Sequence, residues 1–243
     1  MKTSKSIPPS SSAEPRVLQL QMPRSWAELT DRQLRYVYVI LCLFDADLAQ
    51  LYIFLRLAEE QLHERGWWVG ISKEELASAA TVLDWVHEVP DVPVRLSAAE
   101  GHEAVHALLH GVTFETYLSL ENLFQGFIQS RDEAALDEML PLLYPGTLKA
   151  ASRPYLRYNI IQWMTSLKKC FASQWREFFR PVHDTPSEEV NMLDVMNAEI
   201  RALTGGDVTK ISQVMQTDCW HALTELDAKA REAREMKELL SKK

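Results

Sequence analysis

The sequence lacks the short motifs that mark most enzymes and nucleotide-binding proteins. It contains no P-loop, no Cys-x-x-Cys pair and no Ser/His/Asp arrangement. Gly205 and Gly206 precede a predicted helix, but without the strand and the glycine spacing of a phosphate-binding loop. A helix C-cap followed by Asp207 as the next N-cap explains this segment. The motifs therefore favour a protein that is not an enzyme and uses no cofactor.

Cysteine is scarce, with three residues in a chain of 243. Cys42, Cys170 and Cys219 are odd in number and widely spaced, which does not fit the framework of a disulfide-rich secreted domain. Each lies in an apolar helical context. We therefore expect buried free thiols in a reducing compartment.

Long apolar runs are also missing, since none reaches the ~18–20 residues that a transmembrane helix needs. The opening MKTSKSIPPSSSAEP has basic residues but no hydrophobic stretch after them, which is not the pattern of a signal peptide. Its serine and proline content predicts a disordered N-terminal arm over residues 1–22. These features together predict a cytoplasmic protein.

Positive charge is in deficit. Lysine and arginine number 26 against 34 aspartates and glutamates, which gives a net charge of −8. This balance argues against a general affinity for nucleic acid or for an anionic membrane. The hydrophobic share of 47% is ordinary and is enough for the core of a globular domain.

Helical periodicity is the dominant signal in the sequence. From Val112 to Pro145, apolar residues recur at spacings of three and four in two stretches, which Ser130 and Asp132 separate. The pattern predicts two antiparallel helices, the first with Thr113 as its N-cap, and we interpret this central pair as a scaffold. The apolar residues of the first helix are Phe114, Tyr117, Leu118, Leu120, Phe124, Phe127 and Ile128.

Capping signals divide the rest of the chain into helices. Three pairs have the spacing of a capping box, in which two side chains satisfy free backbone N–H groups at a helix start. The helix from Asp31 to about Phe44 is apolar nearly all round, so we expect it to be central. A long amphipathic helix begins near Pro154 and should stop before Pro181. The pairs are Ser25 with Glu28, Thr30 with Gln33, and Ser72 with Glu75.

These patterns predict a mainly α fold, a bundle of about 8–10 helices. Residues 23–216 form the helical domain, and residues 217–243 form a charged amphipathic C-terminal helix. Residues 67–69 have an extended pattern. Residues 92–108 fit a small β-hairpin turning at Ala99-Glu100-Gly101 about as well as a loop leading into a short helix.

One motif suggests catalytic chemistry, a literal H-E-x-x-H formed by His102, Glu103 and His106. On a helix, the two imidazoles would hold zinc from one face, with Glu103 as general base for a metal-bound water. Gly101 and two upstream prolines oppose that helix, Gly111 ends it, and no third ligand stands out. A zinc-dependent metallohydrolase is therefore the alternative hypothesis, and surface histidines that match by chance are the interpretation we prefer.

Two apolar features are candidates for binding a partner protein. The Trp67-Trp68 pair is one, because tryptophan is favoured at interface centres, although we favour a core or edge position for it. The C-terminal helix is the other, because a narrow apolar seam allows it to pair with another chain, including a second copy of this one. The seam consists of Leu223, Leu226, Ala230 and Ala233.

Three segments together resemble helical proteins encoded in tail-morphogenesis clusters of bacterial phages and prophages. They are Pro23-Arg-Ser-Trp-Ala-Glu-Leu-Thr-Asp-Arg-Gln-Leu34, the central pair from Phe114 to Tyr144, and Thr204-Gly-Gly-Asp-Val-Thr-Lys210 with Trp220-His-Ala-Leu-Thr-Glu-Leu226. In these segments the chain resembles a tail-assembly-chaperone-like protein. This resemblance covers most of the chain after residue 22 and carries over no site residues. It implies a non-enzymatic role with a tail component, such as a tape-measure protein, as partner.

We therefore expect a helical protein that works by protein–protein contact, with phage tail assembly as the most concrete version. The zinc hydrolase is the alternative from a different functional class. A helical adaptor unrelated to phage is the third hypothesis. An adaptor needs an exposed apolar groove or seam, and the enzyme needs a helix over the histidines.

Overall fold

The computed structural model describes residues 19–146, 153–180 and 192–241 and is mainly α-helical, as predicted. These residues form nine α-helices and one two-stranded antiparallel sheet, and none of the helices is long and apolar enough to cross a membrane. The strands are β1 (Ala98–Ala99) and β2 (His102–Glu103), and 3-10 turns lie at Trp26–Glu28, Thr81–His87 and Val208–Lys210. The helices are α1 (Asp31–Leu43), α2 (Ala46–Leu62), α3 (Lys73–Ala80), α4 (Phe114–Ser130), α5 (Ala134–Leu143), α6 (Pro154–Gln174), α7 (Met192–Thr204), α8 (Ile211–Met215) and α9 (Cys219–Ser241).

Side-chain caps fix where several helices begin. The pairs before α1 and α3 form both halves of the capping box, as predicted. The pair before the first 3-10 turn does not, because Ser25 makes no cap and Glu28 accepts a hydrogen bond from the backbone N–H of Arg24 at 2.8 Å. Thr113 caps α4 by accepting a hydrogen bond from the N–H of Thr116 at 3.2 Å.

The first helix, α1, is central on one face only. It packs against α2 and α6, and the ring of its buried Tyr38 lies 5.6 Å from that of Trp26 and 5.7 Å from that of Tyr158 on α6. Near its end the apolar side chains turn outward, and Leu43 is exposed. The helix predicted to be central is therefore covered on one face, and its last turn is exposed.

The predicted central pair is present as α4 and α5, which pack against each other across a short turn. Arg131 closes α4 with a left-handed backbone, at φ 60°. Six of the seven apolar side chains predicted for the buried face of α4 are buried, and the seventh, Ile128, is exposed. The pair forms much of the core, which agrees with its interpretation as a scaffold.

The ambiguous segment 92–108 contains the small hairpin and not a helix. Ala99 pairs with His102, and the chain reverses between β1 and β2 at Glu100 and Gly101. Both turn residues have positive φ, 52° and 87°. Glycine adopts that conformation at no steric cost, which explains why the turn falls there.

Residues 19–22, the part of the predicted N-terminal arm that the structure describes, pack against the domain. Residues 1–18 lie outside the described residues, whereas Leu20 and Met22 pack against the core. The backbone N–H of Gln21 donates a hydrogen bond to Oε1 of Gln61 on α2 at 2.9 Å, and Nε2 of Gln61 donates to the carbonyl of Gln21 at 2.6 Å. Residues 19–22 are thus part of the domain surface.

A buried arginine lies between the segment before β1 and α6. The guanidinium of Arg95 is 4.6 Å from the ring of Trp163 and 5.3 Å from the ring of Tyr144. Its Nη2 donates to the carbonyl of Val105, while Nε and Nη1 have no hydrogen-bond partner in the described part of the chain. Burial lowers the pKa of Arg95 to about 10. The two aromatic faces are therefore what chiefly stabilises this cation.

The start of α9 is joined to the start of α4 through the backbone. The N–H of Phe114 donates to the carbonyl of Thr217, and the N–H of Cys219 donates to the carbonyl of Val112, each at 2.8 Å. The first two turns of α9 are buried in the same core as α4. The predicted division at residue 217 therefore crosses the core and does not separate two units. The long helix α6 ends at Gln174, well before the predicted stop at Pro181.

The three thiols differ in exposure. Cys219 is buried, and its Sγ donates to the carbonyl of Leu109 at 3.2 Å. Burial, with a smaller contribution from Asp218, raises the pKa of Cys219 to about 12. Cys170 is half-buried and Cys42 is exposed on α1. The expectation of buried thiols therefore holds for Cys219 and is wrong for Cys42.

We expect Ellman's reagent at pH 8 to label Cys42 of the native protein first and Cys219 at least ~100-fold more slowly. The thiolate is the reactive form, and labelling of Cys219 has to await opening of the core. Burial also raises the pKa of Cys42, but the reagent reaches its sulfur without unfolding. The Cys42→Ser variant should lose the fast phase. Fast labelling of Cys219 in that variant would contradict the buried position.

Candidate protein-interaction surfaces

The H-E-x-x-H segment does not form the helix that a zinc hydrolase requires. His102 and Glu103 make up β2, and His106 lies in the irregular segment after it. The zinc motif relies on a helix to bring two imidazoles four residues apart onto one face, and no helix is present over these residues. No group of three or more His, Cys, Asp or Glu side chains within the described ranges is placed to hold a metal ion. The residues present do not fit a zinc centre.

His102 instead fills the space beside the turn that follows α5. Gly146 has a φ of 142° there, and a Cβ atom added to it would lie 2.0 Å from Nδ1 of His102 and 2.3 Å from its Cε1. No side chain fits at position 146 while the imidazole stays in place. The first histidine of the motif, His102, therefore packs against the turn that follows α5.

The second histidine of the motif, His106, contacts His110, which joins the segment before α4 to α9. The rings of His106 and His110 lie 4.8 Å apart, and His110 stacks on Trp220 at 4.2 Å. Nε1 of Trp220 donates to the carbonyl of Leu108 at 2.6 Å, and Nδ1 of His106 accepts from the N–H of Leu108 at 3.2 Å. These contacts hold the segment before α4 against α9.

The tryptophan pair is not an exposed anchor. Trp67 is buried, its ring lies 6.0 Å from that of Phe54, and its Nε1 donates to the carbonyl of Leu55 at 3.5 Å. Trp68 is half-buried against the core. Residues 67–69 form turns and not the expected extended segment, and only Val69 among them is exposed. Trp67 is thus a core residue and is unavailable to a partner.

The predicted seam of α9 is divided between the core and the solvent. Leu223 and Leu226 are buried inside the chain's own domain. Ala230 is half-buried and Ala233 is exposed. Pairing of α9 with a second copy remains a prediction, and it now concerns the distal half of the helix alone. The exposed large apolar residues of that half are Met236, Leu239 and Leu240.

Large apolar side chains are exposed together where α1 ends and α2 begins. The exposed fractions are 67% for Leu43, 37% for Phe44, 39% for Leu48 and 41% for Tyr52. The rings of Phe44 and Tyr52 are 4.6 Å apart, and Leu48 and Tyr52 share one helix face because they are four residues apart. We name these four residues the apolar corner. Clustered apolar exposure of this kind is typical of sites that bind another protein.

The backbone of the apolar corner is fixed before any partner arrives. Asp45 caps α2 by accepting a hydrogen bond from the N–H of Leu48 at 3.1 Å. The N–H of Phe44 donates to the carbonyl of Ile40 at 3.1 Å, which closes α1. A partner therefore meets a preformed surface, which lowers the ordering cost of binding.

The charges at the apolar corner are acidic. Asp45 and Asp47 are both exposed between the two pairs of apolar residues. Arg56, one turn beyond Tyr52 on α2, forms ion pairs with Glu59 and Glu60 at 3.5 Å and so leaves no excess positive charge. We name the carboxylates of Asp45 and Asp47 the acidic rim, and they complement a partner with an apolar face and basic flanks.

No protein-family model, curated protein or solved structure matches this chain. The fold and its exposed surfaces define a class only, a mainly α-helical domain with a preformed apolar corner and an acidic rim.

Proposed function

We propose that this protein is a non-enzymatic binding protein that holds a basic amphipathic helix of a partner protein against the apolar corner. The observation that carries the proposal is the joint exposure of Leu43, Phe44, Leu48 and Tyr52 on a preformed surface. An amphipathic helix binds by laying its apolar face on such a surface. The exposed carboxylates of Asp45 and Asp47 favour a helix with basic flanks.

The resemblance to tail-assembly-chaperone-like proteins supports a concrete version of this function. The partner is then a phage tail component such as a tape-measure protein, and the protein acts in the cytoplasm of the host cell. Chaperoning needs a surface that covers apolar residues of a partner, and the apolar corner has that character. A helical adaptor unrelated to phage would use the same surface with another partner.

The size of the apolar corner indicates moderate affinity. Full burial of a large apolar side chain contributes about 1.5–3 kcal/mol, and these four are roughly half exposed, so their burial contributes about 3–6 kcal/mol before the costs of association. A dissociation constant near 1 μM corresponds to about 8 kcal/mol. Contacts with the acidic rim therefore have to supply the rest of the binding free energy. An affinity of this order fits a partner that binds reversibly.

We expect the paired substitution Leu43→Lys with Leu48→Lys to weaken binding at least ~30-fold, because it removes apolar contact and repels basic flanks. The probe is a synthetic amphipathic helical peptide with leucines on one face and lysines beside them, measured by fluorescence anisotropy. A second peptide with the same apolar face and glutamates in place of the lysines should bind more weakly. Val69→Lys is the matched control, since Val69 is an exposed apolar residue outside the apolar corner.

Two results would overturn the proposal at different levels. Equal binding to the paired variant and the control would show that the apolar corner is not the surface. Co-expression with the tape-measure protein of the same genome tests the phage version separately. If the peptide binds the apolar corner but no tail component co-purifies, the general binding function stands and the tail-assembly role fails.

A further inference from the structure

The distal part of α9 projects from the domain. The N–H of Glu177, just after α6, donates a hydrogen bond to Oδ1 of Asp227 on α9 at 2.9 Å. Further along α9, an ion pair joins Nε of Arg234 to Oε2 of Glu177 at 2.9 Å. Residues 235–241 are exposed on every side. About two turns of helix, roughly 10 Å, therefore extend into solvent.

The projecting part of α9 has one apolar face. Met236, Leu239 and Leu240 lie three and four residues apart, so they share one side of the helix. Their exposed fractions are 59%, 64% and 66%. We name these three residues the tip of α9. Large apolar side chains exposed together on a helix that its own domain leaves uncovered are typical of a surface that binds another protein.

The charge around the tip of α9 is basic. Residues 236–243 contain one glutamate and three lysines, at positions 237, 242 and 243, in a chain with a net charge of −8. The glutamate, Glu238, forms an ion pair with Nη1 of Arg234 at 3.3 Å, so its charge is partly neutralised. The tip therefore belongs to an amphipathic helix with an excess of positive charge, which complements the carboxylates of the acidic rim.

The tip of α9 does not reach the apolar corner of its own chain. Both surfaces are exposed in the same molecule, so neither covers the other. The ring of Tyr38 on α1 lies 5.7 Å from that of Tyr158 near the start of α6, and the apolar corner follows at the end of α1. The helix α9 contacts Glu177, beyond the other end of α6, before it reaches the tip. Residues 158–174 span about 24 Å, so the two surfaces lie towards opposite ends of α6. A tip that binds an apolar corner therefore comes from another molecule.

We propose that the apolar corner of one copy of this protein binds the tip of α9 of a second copy. The inference rests on the proposed function, because the tip has the apolar face and the basic charge that the apolar corner and the acidic rim are suited to hold. Each copy carries one of each surface, so the copies associate through unlike surfaces, and such a contact either closes into a ring or continues as a chain. A partner helix and the tip compete for the same apolar corner, so binding of a partner releases the second copy.

The contact between the two copies is small and therefore reversible. Seven large apolar side chains take part, four at the apolar corner and three at the tip, whereas each side of a standard stable interface has about 20–30 residues. Interfaces this small form weak complexes, whose population depends on the protein concentration. We therefore expect a monomer in dilute solution and association as the concentration rises.

Sedimentation velocity of the full chain over a roughly hundredfold range of concentration measures the association. We expect the sedimentation coefficient of the wild type to rise with concentration. Leu239→Gln combined with Leu240→Gln, the tip variant, should weaken the association at least ~10-fold, because glutamine keeps the helix and removes the apolar contact. Val208→Gln is the matched control, since Val208 is an exposed apolar residue outside both surfaces, and it should follow the wild type.

A mixture of two variants identifies which surfaces meet. The corner variant, Leu43→Lys with Leu48→Lys, keeps an intact tip, and the tip variant keeps an intact apolar corner. Neither should associate alone, whereas their equimolar mixture should form a heterodimer and nothing larger, because one productive contact remains. Pairing of α9 with α9 predicts instead that the corner variant still associates alone. That result, a mixture that stays monomeric, or a wild type that stays monomeric over the whole range would overturn the inference.

Peptide binding separates this inference from the proposed function. The tip variant retains the apolar corner, so it should bind the leucine–lysine peptide at least as tightly as the wild type does. Excess peptide should also dissociate the wild-type oligomer. If the tip variant binds the peptide but the mixture does not associate, the self-association fails and the proposed function stands. Failure of the peptide to bind any form of the protein would contradict the proposed function itself.

Discussion

Replacement of Trp163 by alanine is expected to lower the free energy of unfolding by about 4–5 kcal/mol. Trp163 is fully buried on α6, and its Nε1 donates to the carbonyl of Ala107 at 2.8 Å. Its ring also lies 4.6 Å from the guanidinium of Arg95. Alanine leaves a cavity, an unpaired carbonyl and a buried cation without its main aromatic neighbour. Urea denaturation monitored by circular dichroism measures the loss.

Two further variants divide this effect into its parts. Trp163→Phe keeps an aromatic face but removes the N–H donor, so it should cost less, about 1–3 kcal/mol. In an Arg95→Met background, Trp163→Ala should cost less than in the wild type, because no buried cation remains to lose its neighbour. A loss below about 2 kcal/mol for Trp163→Ala alone would show that this site is not a central part of the core.

Substitution of alanine for Gly146 should destabilise the fold by about 2–4 kcal/mol. The backbone of Gly146 has φ 142°, which costs a residue with a side chain about 1–3 kcal/mol. The new Cβ atom would also lie 2.0 Å from Nδ1 of His102, so the imidazole would have to move. The midpoint of thermal unfolding, measured by calorimetry, reports the combined cost.

The Gly146→Ala change has a matched control of opposite sign in Gly126→Ala. Gly126 lies inside α4, and an added Cβ atom meets nothing within 4 Å, so alanine should stabilise the helix by roughly 0.5–1 kcal/mol. Combining Gly146→Ala with His102→Ala should recover the steric part of the loss and leave the backbone strain. If the double variant is no more stable than Gly146→Ala, His102 does not occupy the position described above.

Helices and their starts could be predicted from the sequence because their signals are local. Thr30 and Thr113 act as N-caps within three residues of the groups they bind, and tertiary structure does not alter that spacing. The buried face of α4 follows from apolar periodicity in the same way. Ser25 shows the limit of local signals, since its partner Glu28 binds Arg24 instead.

Surfaces could not be predicted because they depend on which faces distant segments cover. Leu43 continues the apolar pattern of a helix assigned to the core, and nothing local shows that the chain leaves its last turn uncovered. Leu223 and Leu226 resemble an intermolecular seam until α4 is placed against them. The available signal in the sequence was a run of apolar residues that continues across a helix boundary, as at Phe44.

The role of the histidines could not be predicted for a related reason. The spacing of His102 and His106 suggests a metal site only on a helix, and a turn at Gly101 makes their segment a hairpin instead. Apolar periodicity predicts which secondary-structure element forms. The chemistry of a site depends on the residues that the fold brings next to it.

The backbone junction between the starts of α4 and α9 also determines when the protein can finish folding during its synthesis. The hydrogen bond from the N–H of Gly111 to Asp218 joins positions 107 residues apart. Closing so long a loop costs roughly 4 kcal/mol of chain entropy by the logarithmic rule, so the junction forms only with the packing it completes. The buried start of α9 can pack against α4 only after a ribosome has translated that helix. Until then the nascent chain exposes the apolar face of α4 that α9 covers, and changes in translation speed just before α9 should alter the soluble yield.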